Sequence, residues 1–378
     1  MKKIMEGSIA VAHVTALCRP GVIAAYPITP STHIPEELSR IQPQYGYEFV
    51  DVESELSAIS ALIGASAAGS RTFTATSSQG LLLMHEALHN AAGMRLPLVM
   101  AVANRAVSAP INIWNDWQDS LSQRDTGWIQ LYCKNNQETV DTLIQAFKIA
   151  EASLIPTMVC FDGFFLTHEI SPLEIPSQEE VDSFLPKFSP ASSLDIGNPL
   201  TFGAFVSPEH YQGLKEMQQE DLLSSVKTIK EVAAEFEKKF KRKQFPFVEE
   251  YCTEDADYLF ATMGSLAENA ERAVDSLREK KEKVGLLRIK CFRPFPGKEI
   301  AGVLEGRKGI AVIEKDLSLG NEGILANEIK AALCGVSEKK KPSLLDVICG
   351  LGGKDVPLKV IANLYQDLKK NRCGTIWV

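Results

Sequence analysis

Paired cysteines are missing from this chain. Its eight cysteines stand singly at positions 18, 133, 160, 252, 291, 334, 349 and 373, with no Cys-x-x-Cys and no histidine-rich stretch beside them. That spacing excludes an iron–sulfur cluster or a structural zinc held by this chain alone. Most lie in apolar runs, as in Thr157-Met158-Val159-Cys160-Phe161, and read as small buried hydrophobes. No run approaches the roughly 20 apolar residues that a membrane-crossing helix needs. The opening Met1-Lys2-Lys3-Ile4-Met5-Glu6-Gly7 reaches an acid too soon for a signal peptide, so no membrane association and a cytoplasmic location are expected. Positive charge is also short: 40 Lys and Arg against 48 Asp and Glu leave a net charge of −8. This opposes a general polyanion-binding surface, and nucleic acid is not an expected partner. Gly-x-Gly-x-x-Gly is absent too; Gly350-Leu351-Gly352-Gly353 is too short and does not follow a first strand, which weighs against a nicotinamide dehydrogenase.

What is present is an ordinary globular composition, 45% hydrophobic and 23% charged over 378 residues, enough for two or three domains. From residue 22 to about 165, short apolar runs alternate with helical patterns, the signature of a parallel sheet built from βαβ units. Strands are predicted at 22–26, 49–52, 72–75, 96–103 and 157–161. The stretch 56–69 has a helical pattern of small residues, which predicts a central helix packed closely on all sides. Prolines at 172, 176, 186 and 190 then open a connector, residues 171–254, carrying a charged helix over 208–240. Its basic end, Lys238-Lys239-Phe240-Lys241-Arg242-Lys243, is either a solvated helix end or a partner-docking patch and is assigned no role. The alternation returns with apolar runs at 258–261, 284–289, 309–313 and 344–348, so 255–378 is a second, smaller α/β domain.

In open α/β sheets, ligands sit beyond the carboxyl ends of the strands, so the informative residues follow each strand. Four loops stand out. Tyr26-Pro27-Ile28-Thr29-Pro30-Ser31-Thr32 has two prolines that stiffen it, with hydroxyls free to face a ligand or to cap a helix beginning near Pro35. Asp51-Val52-Glu53-Ser54-Glu55 places three acids at a helix entry. The macrodipole accounts for Glu53, whereas Glu55 leads the apolar face, where a carboxylate is costly without a partner. Ala75-Thr76-Ser77-Ser78-Gln79-Gly80 is a polar strand-to-helix turn suited to hydrogen-bonding a heterocycle. In Asn104-Arg105-Ala106, the arginine is either a two-pronged donor for a small organic acid or a structural partner of Asp116 or Asp119.

Taken in order, Tyr26-Pro27-Ile28-Thr29-Pro30, Val52-Glu53-Ser54-Glu55, Phe73-Thr74-Ala75-Thr76-Ser77-Ser78-Gln79-Gly80, Asn104-Arg105-Ala106 and Gln123-Arg124-Asp125-Thr126-Gly127-Trp128 resemble the alpha subunit of the 2-oxoacid:ferredoxin oxidoreductases. The run from Ser108 to Asp119 looks most like the multi-subunit, pyruvate-specific members, and Arg293-Pro294-Phe295-Pro296 and Gly350-Leu351-Gly352-Gly353 extend the resemblance into the second domain.

The resemblance implies a pyrimidine-type thiamine diphosphate domain at 1–170, followed by a transketolase C-terminal-like domain at 255–378. It implies coenzyme A-dependent oxidative decarboxylation of pyruvate with electrons to ferredoxin, reversible as a pyruvate synthase. The family's diphosphate- and magnesium-binding motif, Gly-Asp-Gly followed by Asn, is absent; Asp162-Gly163 follows Phe161. A beta subunit is therefore expected to supply the diphosphate–magnesium domain, and gamma and ferredoxin-like delta subunits are further expected partners. The iron–sulfur clusters then lie in partner chains. Glu55 matches the activating glutamate that hydrogen-bonds the pyrimidine N1′. Arg105 and Thr29 match substrate-carboxylate contacts, and Tyr26, Pro27 and Ile28 join Glu55 on the cofactor side. No metal ligand is assigned. Arg124 either lines the pocket entrance or pairs with Asp119 or Asp125. Alternatives are a 2-oxoisovalerate-type subunit and a non-catalytic structural subunit.

Overall fold

The computed structural model describes residues 2–378. Its strands are β1 (Lys2–Glu6), β2 (Val22–Ala25), β3 (Glu48–Asp51), β4 (Thr72–Thr76), β5 (Val99–Asn104), β6 (Ile129–Tyr132), β7 (Thr157–Asp162), β8 (Ile170–Glu174), β9 (Val248–Tyr251), β10 (Tyr258–Thr262), β11 (Val284–Ile289), β12 (Cys291–Arg293), β13 (Gly309–Glu314), β14 (Ser343–Ile348) and β15 (Gly374–Trp377). One sheet has the order β12-β6-β7-β5-β4-β2-β3 and a second the order β15-β14-β13-β10-β11-β9, while β1 and β8 form a ribbon. Within the first sheet every pairing is parallel except that of β12 with β6. In the second, only β9 runs antiparallel.

Every residue of β4, β5, β6 and β7 is buried, as expected of strands covered on both faces. Alternate residues serve different layers. Ile23, Phe73, Val99, Ala101 and Phe161 face a core built by helices Gly7–Leu17, His33–Tyr45 and Asn136–Ser153. Ala24, Met100, Val102, Met158 and Cys160 face a second core that runs without a break into the other sheet. Five cysteines are buried, Cys252 is half-buried, and Cys334 and Cys373 are exposed.

Helix Glu55–Ala67 departs from the expectation of packing on all sides. Ala58, Ile59, Leu62 and Ala67 are buried, but Leu56, Ser60 and Gly64 form an exposed stripe one helical turn apart. Small side chains permit close approach; they do not supply a neighbour, and this chain provides none on that side. The charged helix spans Pro208–Phe240, and only its second half, through Ile229, Val232 and Phe236, enters a core. Its basic end is partly tied down: Arg242 forms a two-pronged pair with Asp141 at 2.7 Å and lies over the Phe236 and Phe240 rings.

The two sheets are stitched together at polar points. Asp162, at the end of β7, accepts from Trp117 Nε1 at 2.9 Å, Lys315 Nζ at 3.1 Å and the Ser265 amide at 3.2 Å. Burial pushes this carboxyl up; Lys315 and the hydrogen bonds outweigh that and hold it below the usual range. The anion received near the start of helix Leu266–Arg278 is thus a side chain of the first domain.

Candidate functional site

Strands β5, β4, β2 and β3 are adjacent and parallel, so the loops that leave their carboxyl ends share one edge of the sheet. All four loops singled out in the sequence lie there. Ser54 caps helix Glu55–Ala67 by accepting from the Ser57 amide at 3.2 Å, which puts Glu55 in the first turn. Glu55 is only 6% exposed, and its carboxyl makes no hydrogen bond or ion pair among the described residues. It sits against Gly80: a methyl group there would lie 2.8 Å from Glu55 Cδ and 2.6 Å from Thr76 Oγ1. Thr76 Oγ1 and Ser77 Oγ are themselves buried without partners. Buried polar atoms are nearly always paired, so the Glu55 carboxyl and Thr76 Oγ1 around one glycine-made space, with the orphaned Ser77 Oγ next in the chain, form a cradle for a polar ligand.

Arg105 follows β5 and is 6% exposed. Its Nη1 donates to the Thr29 carbonyl at 2.9 Å and its Nε to the Asn112 carbonyl at 3.0 Å, while Nη2 has no acceptor among the described residues. Burial lowers its pKa, against the pull of Asp119. The guanidinium forms no ion pair with Asp116 or Asp119. Asp119 instead accepts from the Arg105 amide at 2.9 Å and the Ser78 amide at 2.8 Å through Oδ2, and from Asn104 Nδ2 at 2.8 Å through Oδ1. Burial raises its carboxyl to about 6 even so. One buried acid thus ties the turn that cradles Glu55 to the loop that carries Arg105. Ser78, with φ of +47°, is held in the left-handed region at this junction, a strain of about 1 kcal/mol or more that the surrounding bonds sustain.

The β2 loop places Thr29 against Arg105, but through its carbonyl; the Thr29 side chain is exposed. Tyr26, 39% exposed, and Pro27 lie open on the same edge, with Ile28 half-buried. Ser31 and Thr32 do not cap the following helix, which begins at His33. Ser31 Oγ turns back to the Ile28 carbonyl at 2.8 Å and stiffens the loop itself. Arg124 is elsewhere: it lies 3.8 Å from Asp125 and lines a groove of about 410 Å³ with Arg293 and Leu222. A cavity of about 720 Å³ between helix His85–Gly93 and the start of helix Pro208–Phe240 is also lined by none of these loops. Sequence reasoning missed Asp119 as an organiser and missed Asn112 altogether. The one available signal was an acid in the otherwise helical start Gln118-Asp119-Ser120-Leu121.

Residues 13–234 match the family described as pyruvate flavodoxin/ferredoxin oxidoreductase, thiamine diphosphate-binding, and residues 256–361 match pyruvate:ferredoxin oxidoreductase core domain II. The chain is 51% identical to pyruvate synthase subunit PorA of Pyrococcus furiosus, over 98% of this chain and 94% of that one. It is 47% identical to PorA of Methanosarcina barkeri, over 97% and 92%. Ketoisovalerate oxidoreductase subunit VorA of Pyrococcus horikoshii is 43% identical, over 98% and 94%. Among solved structures, 2-oxoglutarate:ferredoxin oxidoreductase from Magnetococcus marinus aligns with a TM-score of 0.73 at 20% identity, over 97% of this chain and 65% of that one. A split-gene transketolase aligns with a TM-score of 0.57 at 12% identity, over 97% of this chain and 99% of that one. At such identities the two structures bear on the fold alone, which is that of a thiamine-type domain followed by a transketolase C-terminal-like one.

Proposed function

We propose a function from one premise: the chain belongs to the pyruvate flavodoxin/ferredoxin oxidoreductase family. It is an oxidoreductase subunit of the pyruvate synthase type, acting on 2-oxoacids with ferredoxin. The observation that carries the site assignment is the unpartnered Glu55 carboxyl in the Gly80 cradle, on a turn that Asp119 joins to Arg105.

Thiamine diphosphate fits this cradle by its aminopyrimidine: a buried carboxyl and two orphaned hydroxyls offer polar partners to a flat, nitrogen-rich ring. When bound, the cofactor supplies the carbon nucleophile for attack on the 2-oxo group. Glu55, nearly buried in the first turn of its helix, would hydrogen-bond the pyrimidine N1′. Tyr26, Pro27 and Ile28 wall the cofactor side. Arg105 offers Nη2 to the substrate carboxylate, and Thr29, whose carbonyl already meets Arg105, would contribute its exposed hydroxyl beside it. Nothing in these loops provides a second cation, which favours a monocarboxylic substrate, pyruvate, over a dicarboxylic one.

The proposed division of labour places this chemistry in residues 1–170, a connector in 171–254 and subunit assembly in 255–378. With no Gly-Asp-Gly, magnesium and the diphosphate fall to a beta subunit, and the iron–sulfur clusters to the beta and ferredoxin-like delta subunits, with a gamma subunit completing the assembly and coenzyme A as co-substrate. Exposed apolar residues from the site loops support coverage by another chain: Leu56, Leu83, Ile111 and Trp114 are 40%, 50%, 79% and 50% exposed. Among the described residues, no helix is long and apolar enough to cross a membrane. The test is reconstitution with candidate beta, gamma and delta chains. Reduction of ferredoxin or a viologen dye should require pyruvate, coenzyme A and thiamine diphosphate together. Faster turnover with 2-oxoisovalerate than with pyruvate would reassign the substrate.

A further inference from the structure

We infer that Asn112 is a positioning residue through which the second domain sets the Arg105 guanidinium, by way of the turn Gly350-Leu351-Gly352-Gly353. This rests on the reading of Arg105 as the substrate-carboxylate donor. Asn112 makes three bonds in three directions. Its Nδ2 donates to the Gly352 carbonyl at 3.1 Å, its Oδ1 accepts from the Trp114 amide at 2.7 Å, and its own carbonyl accepts from Arg105 Nε at 3.0 Å. The joint is doubled by the Gly352 amide, which donates to Asp116 Oδ2 at 3.1 Å.

The glycines are required there. Gly350, Gly352 and Gly353 have φ of +64°, +57° and +80°, where a side chain is strained. A methyl on Gly352 would also lie 3.1 Å from Asn112 Cγ and closer still to its amide nitrogen, and one on Gly353 would lie 3.1 Å from Trp114 Cγ. The glycine backbone therefore meets the Asn112 and Trp114 side chains with no room between them. A few residues further on, the Trp117 amide and Gln118 Nε2 bond to the carbonyls of Lys315 and Leu317, so the same segment is docked on the second domain at both ends.

The consequence for Arg105 is geometric. The loop from Ala106 to Trp114 is closed at its base by the Ala106 amide on the Trp114 carbonyl at 3.0 Å and held near its start by Ser78 and Gln79, but at its tip, where Ile111 is 79% exposed, the Asn112 ties are what set the path towards Arg105. The Asn112 carbonyl points one edge of the guanidinium inward and leaves Nη2 for a ligand. Misplacement of a positioning group by about 1 Å can cost on the order of 100-fold in rate. Asn112 touches neither substrate nor cofactor in this scheme; it acts through Arg105.

The experiment uses the complex reconstituted with its partner subunits and reads pyruvate-dependent dye reduction. Asn112→Ala should raise the KM for pyruvate about fivefold, with the KM for coenzyme A unchanged and kcat within about twofold. Asn112→Asp keeps the acceptor for Trp114 and loses the donor to Gly352, and should give the same selective change; Gly352→Ala, made in the other domain, should reproduce it. Combining Asn112→Ala with Arg105→Lys should give a KM no higher than Arg105→Lys alone, because both act through one contact. If Arg105→Lys raises the KM while both Asn112 variants leave it unchanged, or if the effects simply add, the coupling is overturned and the reading of Arg105 stands. If Arg105→Lys itself leaves the KM for pyruvate unchanged, the reading of the site fails and the inference with it.

Discussion

Glu55 and Arg105 are both nearly buried, yet each keeps a polar atom unused by the chain, and that opposition of cost and retention makes their substitution informative. Glu55→Gln removes a carboxylate that has no partner, so folding should not suffer and the melting temperature should hold or rise. Turnover in the assembled enzyme should fall about 100-fold or more, the contribution of a positioned proton-transfer group; near-normal turnover would remove Glu55 from that role. Arg105→Lys keeps a charge and loses the fork, and kcat/KM for pyruvate should drop by about 1 to 3 kcal/mol in barrier terms. Gly80→Ala fills the cradle and should cost activity and stability together, in contrast to Glu55→Gln. At this scale, the sequence was most legible where a residue type is expensive. An acid at the head of an apolar helix face and an arginine after a buried strand both announce themselves. Asp119 and Asn112 do not, because their work is done on backbone amides and carbonyls of segments that meet only after the sheet has closed.

Elements were read well when their signals are local. The long helix was predicted over 208–240 and is found at Pro208–Phe240, with a proline in its first turn and an unbroken helical pattern behind it. Strands β1, β6, β8, β9, β12 and β15 lie outside the predicted runs; β1 and β8 are stabilised by each other across the chain, and β12 leaves the second domain's run and joins β6 in the first sheet. Another long-range device is an ion cluster that links helix Asn136–Ser153 to the second sheet. Glu138 receives a two-pronged bond from Arg288 at 2.9 Å and lies 3.2 Å from Lys290, while Arg288 also reaches Glu249 at 2.7 Å. Burial pushes the Glu138 carboxyl up, but the two cations prevail and hold it at about 2. A carboxyl depressed from 4.5 to about 2 in the folded state stabilises above pH 4.5, and that stability is lost as the pH falls from there towards 2. Glu138→Gln should therefore cost on the order of 3 kcal/mol at pH 7, with the gap from wild type narrowing in acid; denaturant melts at both pH values measure it, and a constant gap would refute the account. Asp116 has the opposite sign. Burial raises it to about 7, so its ionisation weakens the fold as pH climbs from about 4 to 7. Asp116→Asn should look better relative to wild type at pH 8 than at pH 4.

For the molecule as a whole, the sequence carried the two α/β units and little of how they join, since the shared apolar core is assembled from residues far apart in the chain and is fixed in register by single polar contacts such as Ser265 on Asp162 and by the close approach of Gly352 and Gly353 to the Asn112 and Trp114 side chains. What it did carry, through the missing Gly-Asp-Gly, is the expectation that the cofactor site is divided between chains. That division is testable without any turnover assay. A ligand that binds only the folded state raises stability by about 2.7 kcal/mol when present at 100 times its dissociation constant. On the proposed division, the isolated chain would contribute the aminopyrimidine cradle alone and leave the diphosphate and magnesium to the partner subunit. Thiamine diphosphate with magnesium should therefore leave the melting temperature of the isolated chain unchanged and raise that of the complex with the diphosphate-binding partner. In that complex, free thiamine, which keeps the pyrimidine and lacks the diphosphate, should give a much smaller rise. An equal shift in the isolated chain and the complex would mean that this polypeptide holds the whole cofactor, and the proposed division between subunits would have to be abandoned.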